Sequence, residues 1–269
     1  MDWALPFAIS CQGPDGQARY GIDKTGSGFM RITKKIRAEQ LAILEETYRG
    51  AKPELIFKNA FELLIAVILS AQCTDKRVNV TTKRLFAKVH GPEDIVAMGL
   101  PALENEIRDC GLFRNKAKNV LAACQMLCAQ YGGEVPADFE ELQKLPGVGR
   151  KTANVVMSVA FHQPAIAVDT HVFRIANRLK LATGTTPLAV EQGLMKNIPR
   201  EKWSDAHHWL IWHGRKICKA RKPACDICPL APVCPSCEAI AGTVPAAQAA
   251  SKDAAGESGA PGVPEKEMK

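Results

Sequence analysis

The sequence lacks any long hydrophobic run. Its longest run, residues 63–69, contains seven residues, whereas a membrane-spanning helix needs about 20. The first eleven residues also lack the basic segment of a signal peptide and include Asp2 and Pro6. We therefore expect a cytosolic protein with no membrane partner. Disulfides are rare in that compartment, so the ten cysteines are expected to be buried thiols or metal ligands.

Strand patterns are missing as well. No segment of strand length alternates apolar and polar side chains between hairpin turns. Apolar residues instead recur at helical spacing, first at Ile36, Leu41 and Leu44. Gly50 ends this first helix, and similar patterns follow as far as Lys216. The sequence therefore predicts an all-α fold with short loops.

Two terminal segments are expected to lie outside the folded part. Residues 1–30 contain glycine-rich turns and no apolar period, which predicts a flexible extension. Residues 238–269 consist mainly of Ala, Gly, Pro, Ser and scattered charge, which predicts a disordered tail. This tail has five acids and three lysines, a net charge of −2, so the remainder carries +9 when the whole chain carries +7. A basic folded part suits a polyanionic partner such as nucleic acid.

Residues 145–156, with the sequence LPGVGRKTANVV, contain a glycine turn between two predicted helices. Pro146, Gly147 and Gly149 end the first helix and allow a tight reversal, because glycine tolerates positive φ. The second helix then begins, and its unpaired backbone N–H groups can bind a phosphate oxygen. This segment predicts a hairpin that binds a nucleic-acid backbone without reading its sequence, through Gly147, Gly149 and Arg150.

Two side chains near this turn have the chemistry for catalysis. Lys151 lies in the first turn of the second helix, and an amine that attacks a sugar carbon forms a Schiff base. Asp169 is the acid in the otherwise small and apolar segment 166–170, and it can stabilise positive charge or transfer a proton. A surface lysine and a helix-capping aspartate in an ordinary helical hairpin explain the same residues. The hairpin pattern alone favours that simpler interpretation.

Four cysteines share one basic, proline-rich loop: Cys218, Cys225, Cys228 and Cys234. Their spacing, C-x6-C-x2-C-x5-C, suits a metal centre, because four thiolates can bind either zinc or an iron–sulfur cluster. Common zinc modules pair two short knuckles, and here Cys225 and Cys228 form a single one, which favours iron–sulfur without excluding zinc. Lys219 and Arg221 lie between the first two cysteines and are either a second phosphate contact or solvated charge.

Together these segments resemble the endonuclease III family of helix-hairpin-helix DNA glycosylases. The resemblance covers about residues 34–234. The hairpin and the four-cysteine spacing carry it, together with motifs at residues 61–67, 69–72, 74–75, 111–112, 115–117, 168–171 and 207–211. Cys73 departs from the family pattern, which has a small residue such as alanine at this place. Both terminal segments lie outside the resemblance.

The resemblance implies an all-α fold of two helical domains with a DNA cleft between them. Residues 53–163 would form a six-helix barrel that contains the hairpin. Residues 31–52 and 164–237 would form a second helical domain, in which the four cysteines bind a [4Fe–4S] cluster.

The resemblance also implies roles for individual residues. Lys151 would be the Schiff-base nucleophile and Asp169 the catalytic acid. Gln72 and Leu112 would enter the duplex where a damaged nucleotide leaves it, since an amide and an apolar side chain can fill the gap. From its position beside Phe113 alone, Leu112 would be interpreted as a core residue.

The implied activity is base excision by a monomeric, bifunctional enzyme. It would remove damaged pyrimidines from double-stranded DNA as a glycosylase and cleave abasic sites as an AP lyase. Two alternatives remain open from the sequence. One is a related glycosylase for mismatched bases, a type that usually lacks the lysine and carries a further recognition domain. The other is a non-catalytic sensor of DNA damage that uses the hairpin and the cysteine loop.

Overall fold

The computed structural model describes residues 20–22, 28–30 and 32–237. Most of the predicted N-terminal extension and the whole predicted tail lie outside the described residues. No helix in the described part of the chain has the length and apolar character needed to cross a membrane.

A small β-hairpin precedes the helices. Strands β1 (Tyr20–Ile22) and β2 (Gly28–Met30) pair antiparallel, with Gly21 opposite Phe29. The sequence predicts no strands here, because three residues are too few to show an alternating pattern.

Residues 32–237 form helices that are joined by loops, which confirms the predicted all-α class. The helices are α1 (Lys34–Thr47), α2 (Ala60–Leu69), α3 (Asp75–Leu85), α4 (Pro92–Glu106), α5 (Phe113–Gln130), α6 (Phe139–Lys144), α7 (Arg150–Val159), α8 (Thr170–Leu179), α9 (Pro187–Asn197) and α10 (Trp203–Lys216). One short 3-10 helix, Arg200–Lys202, lies between α9 and α10, and two others, Cys225–Ile227 and Ala231–Val233, follow α10. Gly99, with a φ of 73°, interrupts the helical conformation within α4.

Polar side chains define where several helices begin. The Asn59 carboxamide oxygen accepts a hydrogen bond from the backbone N–H of Glu62 at 2.9 Å, at the start of α2. The Thr74 hydroxyl does the same for Arg77 at the start of α3. Each cap satisfies an N–H group that the helix itself leaves unpaired.

The helices enclose two hydrophobic cores. The first is built from α2 to α7, and α2 lies at its centre, since every residue from Phe61 to Leu69 is buried. The second combines α1, α8, α9 and α10 with Leu230 and Val233 of the cysteine loop. Ala165 packs in the first core and Ile166 in the second, so the chain passes from one core to the other in the segment that follows α7.

Candidate active site and cysteine loop

The predicted hairpin is present between α6 and α7. Gly147 has a φ of +80°, and a Cβ atom added there would lie 2.9 Å from Cβ of Asn119. Both observations require glycine at this position. Gly149 has extended backbone instead and precedes α7, with open space where a side chain would be. The two glycines therefore differ: Gly147 makes the turn possible, whereas Gly149 leaves free space in front of the helix N-terminus.

Arg150 has a partner that the sequence did not reveal. Its guanidinium binds the carboxylate of Glu191 on α9, with the shortest N–O distance at 2.6 Å. The Asn154 amide also donates to Glu191, at 3.1 Å, and Glu191 is buried. Arg150 additionally lies over the ring of Phe139, 5.0 Å from its centroid. The contacts with Glu191 join the hairpin to α9, a helix of the second core.

Lys151 and Asp169 line the same open pocket, which has a volume of about 670 Å³. Lys151 is exposed in the first turn of α7. Asp169 precedes α8, and its Oδ1 accepts hydrogen bonds from the N–H groups of His171 and Val172, both at 2.8 Å. Asp169 is thus the helix cap that the simpler interpretation predicted. Within the described part of the chain both bonds use Oδ1, so Oδ2 is available to a ligand in the pocket.

His207 lines a neighbouring pocket of about 90 Å³, to which Lys151 and Asp169 also contribute. The Nδ1 atom of His207 is 2.8 Å from the Ala167 carbonyl oxygen, to which a neutral ring donates. Burial, together with the neighbouring His208, lowers the pKa of His207 to about 3. The ring is therefore neutral near pH 7. Its hydrogen bond holds the segment that leads into Asp169.

Gln72 and Leu112 lie on two adjoining loops. Gln72 lines the pocket together with Lys151 and Asp169. Both Gln72 and Leu112 have positive φ, 52° and 58°, which is unfavourable for residues with a side chain. A Cβ added to Gly111 would lie 3.4 Å from the Gln72 carbonyl oxygen, so the loops are in contact. Leu112 is 58% exposed and is therefore not the core residue that its local sequence suggests.

Arg215 on α10 closes one side of the pocket, and sequence reasoning did not identify it. Its Nη1 lies 2.8 Å from Oδ2 of Asp75, the first residue of α3, and it also binds the Glu54 carboxylate. The Trp212 indole donates to the Lys52 carbonyl at 3.3 Å. These contacts join α10 to the first core across the pocket. The partners are more than a hundred residues apart, which explains why no local pattern reveals them.

The cysteine loop surrounds a second cavity. Its lining includes the four predicted ligands, Cys218, Cys225, Cys228 and Cys234. No three His, Cys, Asp or Glu side chains in the described part of the chain are close enough to hold a single metal ion. The four thiols share one cavity, as an iron–sulfur cluster with one thiolate on each iron requires. Burial raises the pKa of Cys228 to about 12 and that of Cys234 to about 11, so metal binding must release their protons.

Two arginines of α8 hold the loop. The Arg178 Nη1 atom lies 3.2 Å from Sγ of Cys218 and donates to the Lys219 carbonyl at 2.8 Å. Arg174 donates to the Cys218 carbonyl at 3.1 Å. The side chains of Lys219 and Arg221 are exposed on this loop. Helix α8, which Asp169 caps, therefore also supports the loop segment that carries Lys219 and Arg221.

Comparisons with known families match two parts of the chain. Residues 65–200 match the HhH-GPD superfamily of base excision DNA repair proteins. Residues 218–234 match the iron–sulfur binding domain of endonuclease III. The second match begins at the first cysteine of the loop and ends at the fourth.

Individual proteins are similar over most of the chain. Endonuclease III of Rickettsia conorii is 57% identical over 185 residues, which cover 69% of this chain and 88% of that protein. Endonuclease III of Bacillus subtilis is 55% identical over 181 residues, or 67% of this chain and 83% of that protein. A solved structure of a trapped endonuclease III–DNA covalent intermediate superposes with a TM-score of 0.75 at 52% identity, and covers 78% of this chain and 99% of that one.

Proposed function

The chain belongs to the endonuclease III family of helix-hairpin-helix base-excision repair proteins, and from this premise we propose that Lys151 and Asp169 are its catalytic residues. The protein is a DNA glycosylase with AP lyase activity. The observation that carries the residue assignment is the shared pocket. Lys151 and Asp169 line it together with Gln72.

The proposed reaction begins when the neutral amine of Lys151 attacks C1′ of the damaged nucleotide. The N-glycosidic bond breaks, and the base leaves with one of the two amine protons. The C1′–O4′ bond then breaks, O4′ takes a proton from solvent, and the nitrogen keeps its second proton in a protonated Schiff base with C1′. Asp169 stabilises the positive charge that develops at C1′ and on the nitrogen. Loss of a C2′ proton then expels the 3′ phosphate by β-elimination. Water hydrolyses the imine and regenerates Lys151.

The proposed substrates are oxidised or otherwise damaged pyrimidines and abasic sites in double-stranded DNA. Gln72 and Leu112 would fill the gap that the extruded nucleotide leaves. Their exposure and the contact between their loops support this role. Gly147, Gly149 and Arg150 of the hairpin would contact the DNA backbone. For Arg150 this role would add to its binding of Glu191.

The protein binds a [4Fe–4S] cluster, and the proposed ligands are the four cysteines that line the second cavity. When bound, the cluster supplies a rigid centre around which the loop is ordered, and the glycosylase chemistry requires no electron from it. The loop would then present Lys219 and Arg221 to phosphate groups of the DNA.

We further propose the division into a barrel domain, residues 53–163, and a cluster domain, residues 31–52 and 164–237. The two hydrophobic cores support this division, because they separate between Ala165 and Ile166, two residues after the proposed boundary. The enzyme would act as a monomer on nucleoid DNA in the cytoplasm.

Borohydride trapping tests the proposed nucleophile. Reduction of the Schiff base on abasic DNA should yield a covalent protein–DNA adduct, and Lys151→Ala should abolish it. Lys196→Ala, which removes an exposed lysine on α9, is the matched control and should retain the adduct. An undiminished adduct with Lys151→Ala would exclude Lys151 as the nucleophile. A wild-type protein that binds damaged DNA without forming an adduct would favour a non-catalytic sensor.

A further inference from the structure

Lys116 is a buried cation that the proposed mechanism does not use. Its side chain is on α5, in a motif that the family resemblance includes, and the residue is 4% exposed. The ammonium donates to the Leu69 carbonyl oxygen at 2.8 Å. Burial lowers the pKa of Lys116, and the described groups that act on its charge are the thiols of Cys110 and Cys73 rather than a carboxylate. A cation kept in such a place requires a structural reason.

The partner of Lys116 is the C-terminal end of a helix. Leu69 is the last residue of α2, so its carbonyl group has no acceptor role within the helix. The negative end of the helix dipole also lies there, which favours a positive charge. Lys116 therefore satisfies the last carbonyl of α2 at the point where the chain leaves the first core for the loop that carries Gln72.

Lys116 also holds the second loop. Its backbone N–H donates to the Leu112 carbonyl at 3.1 Å, in the first turn of α5. One residue is thus bonded through its backbone to Leu112 and through its side chain to Leu69, three positions before Gln72. Lys116 and Leu69 are 47 residues apart in the sequence, but their side chain and carbonyl group are in contact in the structure.

Both loops depend on such support. Gln72 and Leu112 have left-handed backbone conformations, which non-glycine residues adopt when the surrounding structure holds them. The close approach of Gly111 to the Gln72 carbonyl means that a shift of one loop displaces the other.

We propose that Lys116 is a positioning residue that holds Gln72 and Leu112 in the relative placement required to enter the duplex. This inference rests on the proposed function of those two residues. Loss of the ammonium would leave the last carbonyl of α2 unpaired and allow the two loops to move independently. The catalytic pair would be unaffected, because Lys151 and Asp169 belong to other elements.

The test compares abasic sites in duplex and in single-stranded DNA. A single strand contains no stacked gap to fill, so cleavage there depends on the catalytic pair and not on the two loops. Lys116→Met should lower kcat/KM on the duplex by about 10- to 100-fold and leave the single-strand value within about twofold. Lys116→Arg, which keeps a cationic donor, should restore most of the duplex activity. Lys118→Met removes an exposed lysine of the same helix and is the control.

A second measurement follows the loops directly. 2-Aminopurine opposite the abasic site reports on the filling of the gap, and its fluorescence change at saturating protein should be smaller for Lys116→Met than for the wild type. A variant that was merely less stable would give the full change once saturated. If Lys116→Met does not fold, Lys116→Gln serves for both measurements. Its side chain is neutral and shorter than that of lysine, so it should weaken the bond to the Leu69 carbonyl and lower the ratio of duplex to single-strand activity.

An unchanged ratio of duplex to single-strand activity would overturn the inference, whether both activities stay at the wild-type level or both fall in parallel. Gln72→Ala and Leu112→Ala are measured in the same assay to separate the two proposals. If these variants lower the ratio and Lys116→Met does not, the role of Lys116 is wrong and the role of the loops stands. If none of the three variants lowers it, the proposed role of the loops also fails.

Discussion

The guanidinium of Arg150 binds the carboxylate of Glu191 through three hydrogen bonds, with N–O distances of 2.6, 3.1 and 3.1 Å. Arg150 directly precedes Lys151, so this pair determines where the first turn of α7 lies relative to α9. Asn154, one turn later, binds the same carboxylate and also the Ile166 carbonyl. The position of the proposed nucleophile therefore depends on a contact between the two cores.

Replacing Glu191 by Gln should lower both stability and turnover. The variant removes the charge that Arg150 binds, but nearly half of the Arg150 side chain is in solvent. We therefore expect a loss of about 1–2 kcal/mol, less than for a fully buried pair, and a decrease in Tm of roughly 5 °C. Glu46→Gln, in the exposed pair with Arg49, is the control and should leave Tm unchanged. Thermal unfolding and kcat on abasic DNA provide the two measurements, and wild-type values of both for Glu191→Gln would contradict the positioning role.

Asp169→Asn should separate capping from catalysis. Asparagine can still accept the hydrogen bonds from His171 and Val172, so Tm should change little. The loss of the negative charge should lower kcat by about 100-fold or more. Asp169→Ala should lose both functions and about 1 kcal/mol of stability. Full activity of Asp169→Asn, measured on a damaged duplex, would leave Asp169 with capping alone.

The two hairpin glycines should respond differently to alanine. Gly147→Ala places a side chain at positive φ and against Asn119, and should cost about 1–3 kcal/mol of stability. Gly149→Ala meets open space and extended backbone, so its Tm should be close to that of the wild type. Its Kd for DNA should nevertheless increase, because the methyl group stands where a phosphate would approach. Thermal unfolding and fluorescence anisotropy measure the two effects, and an unchanged Kd would argue against backbone contact at Gly149.

Cys228→Ser should abolish or strongly reduce iron binding and the yellow-brown absorbance of the purified protein. Cys237 lines the same cavity but is not one of the four proposed ligands, so Cys237→Ser should retain iron and colour. Iron and zinc analysis of both variants and the wild type provides the measurement. Iron loss in Cys237→Ser together with retention in Cys228→Ser would require a different ligand set.

Stability should fall in acid through His207. Burial holds its pKa at about 3, whereas in the unfolded chain it has the ordinary value near 6.5. The unfolded state therefore binds the proton first as the pH falls below about 6.5, and the fold loses about 2 kcal/mol by about pH 5. His207→Asn can keep a donor to the Ala167 carbonyl without this titration. The wild type should therefore lose more Tm than the variant as the pH falls from 7 to 5. An equal loss in both proteins would show that the fold does not lower the pKa of His207.

The sequence by itself determined the all-α class, the glycine hairpin, the family and the iron–sulfur cluster. These features depend on local order: the helical spacing of apolar residues, the turn that Gly147 permits, and four cysteines on one short loop. The roles of Lys151 and Asp169 stay predictions from a motif, to which the structure adds a shared pocket.

Tertiary structure alone decided which distant side chains meet. Arg150 binds Glu191 across 41 residues, Lys116 binds Leu69 across 47, and Arg215 binds Asp75 across 140. The tertiary structure also leaves Leu112 exposed, whereas its position beside Phe113 in the sequence predicts a buried residue. The spacing of apolar residues predicts which face of each helix is buried. The packing of one helix against another, however, decides which partner each polar side chain contacts. That packing is a property of the whole fold, so no local pattern encodes it.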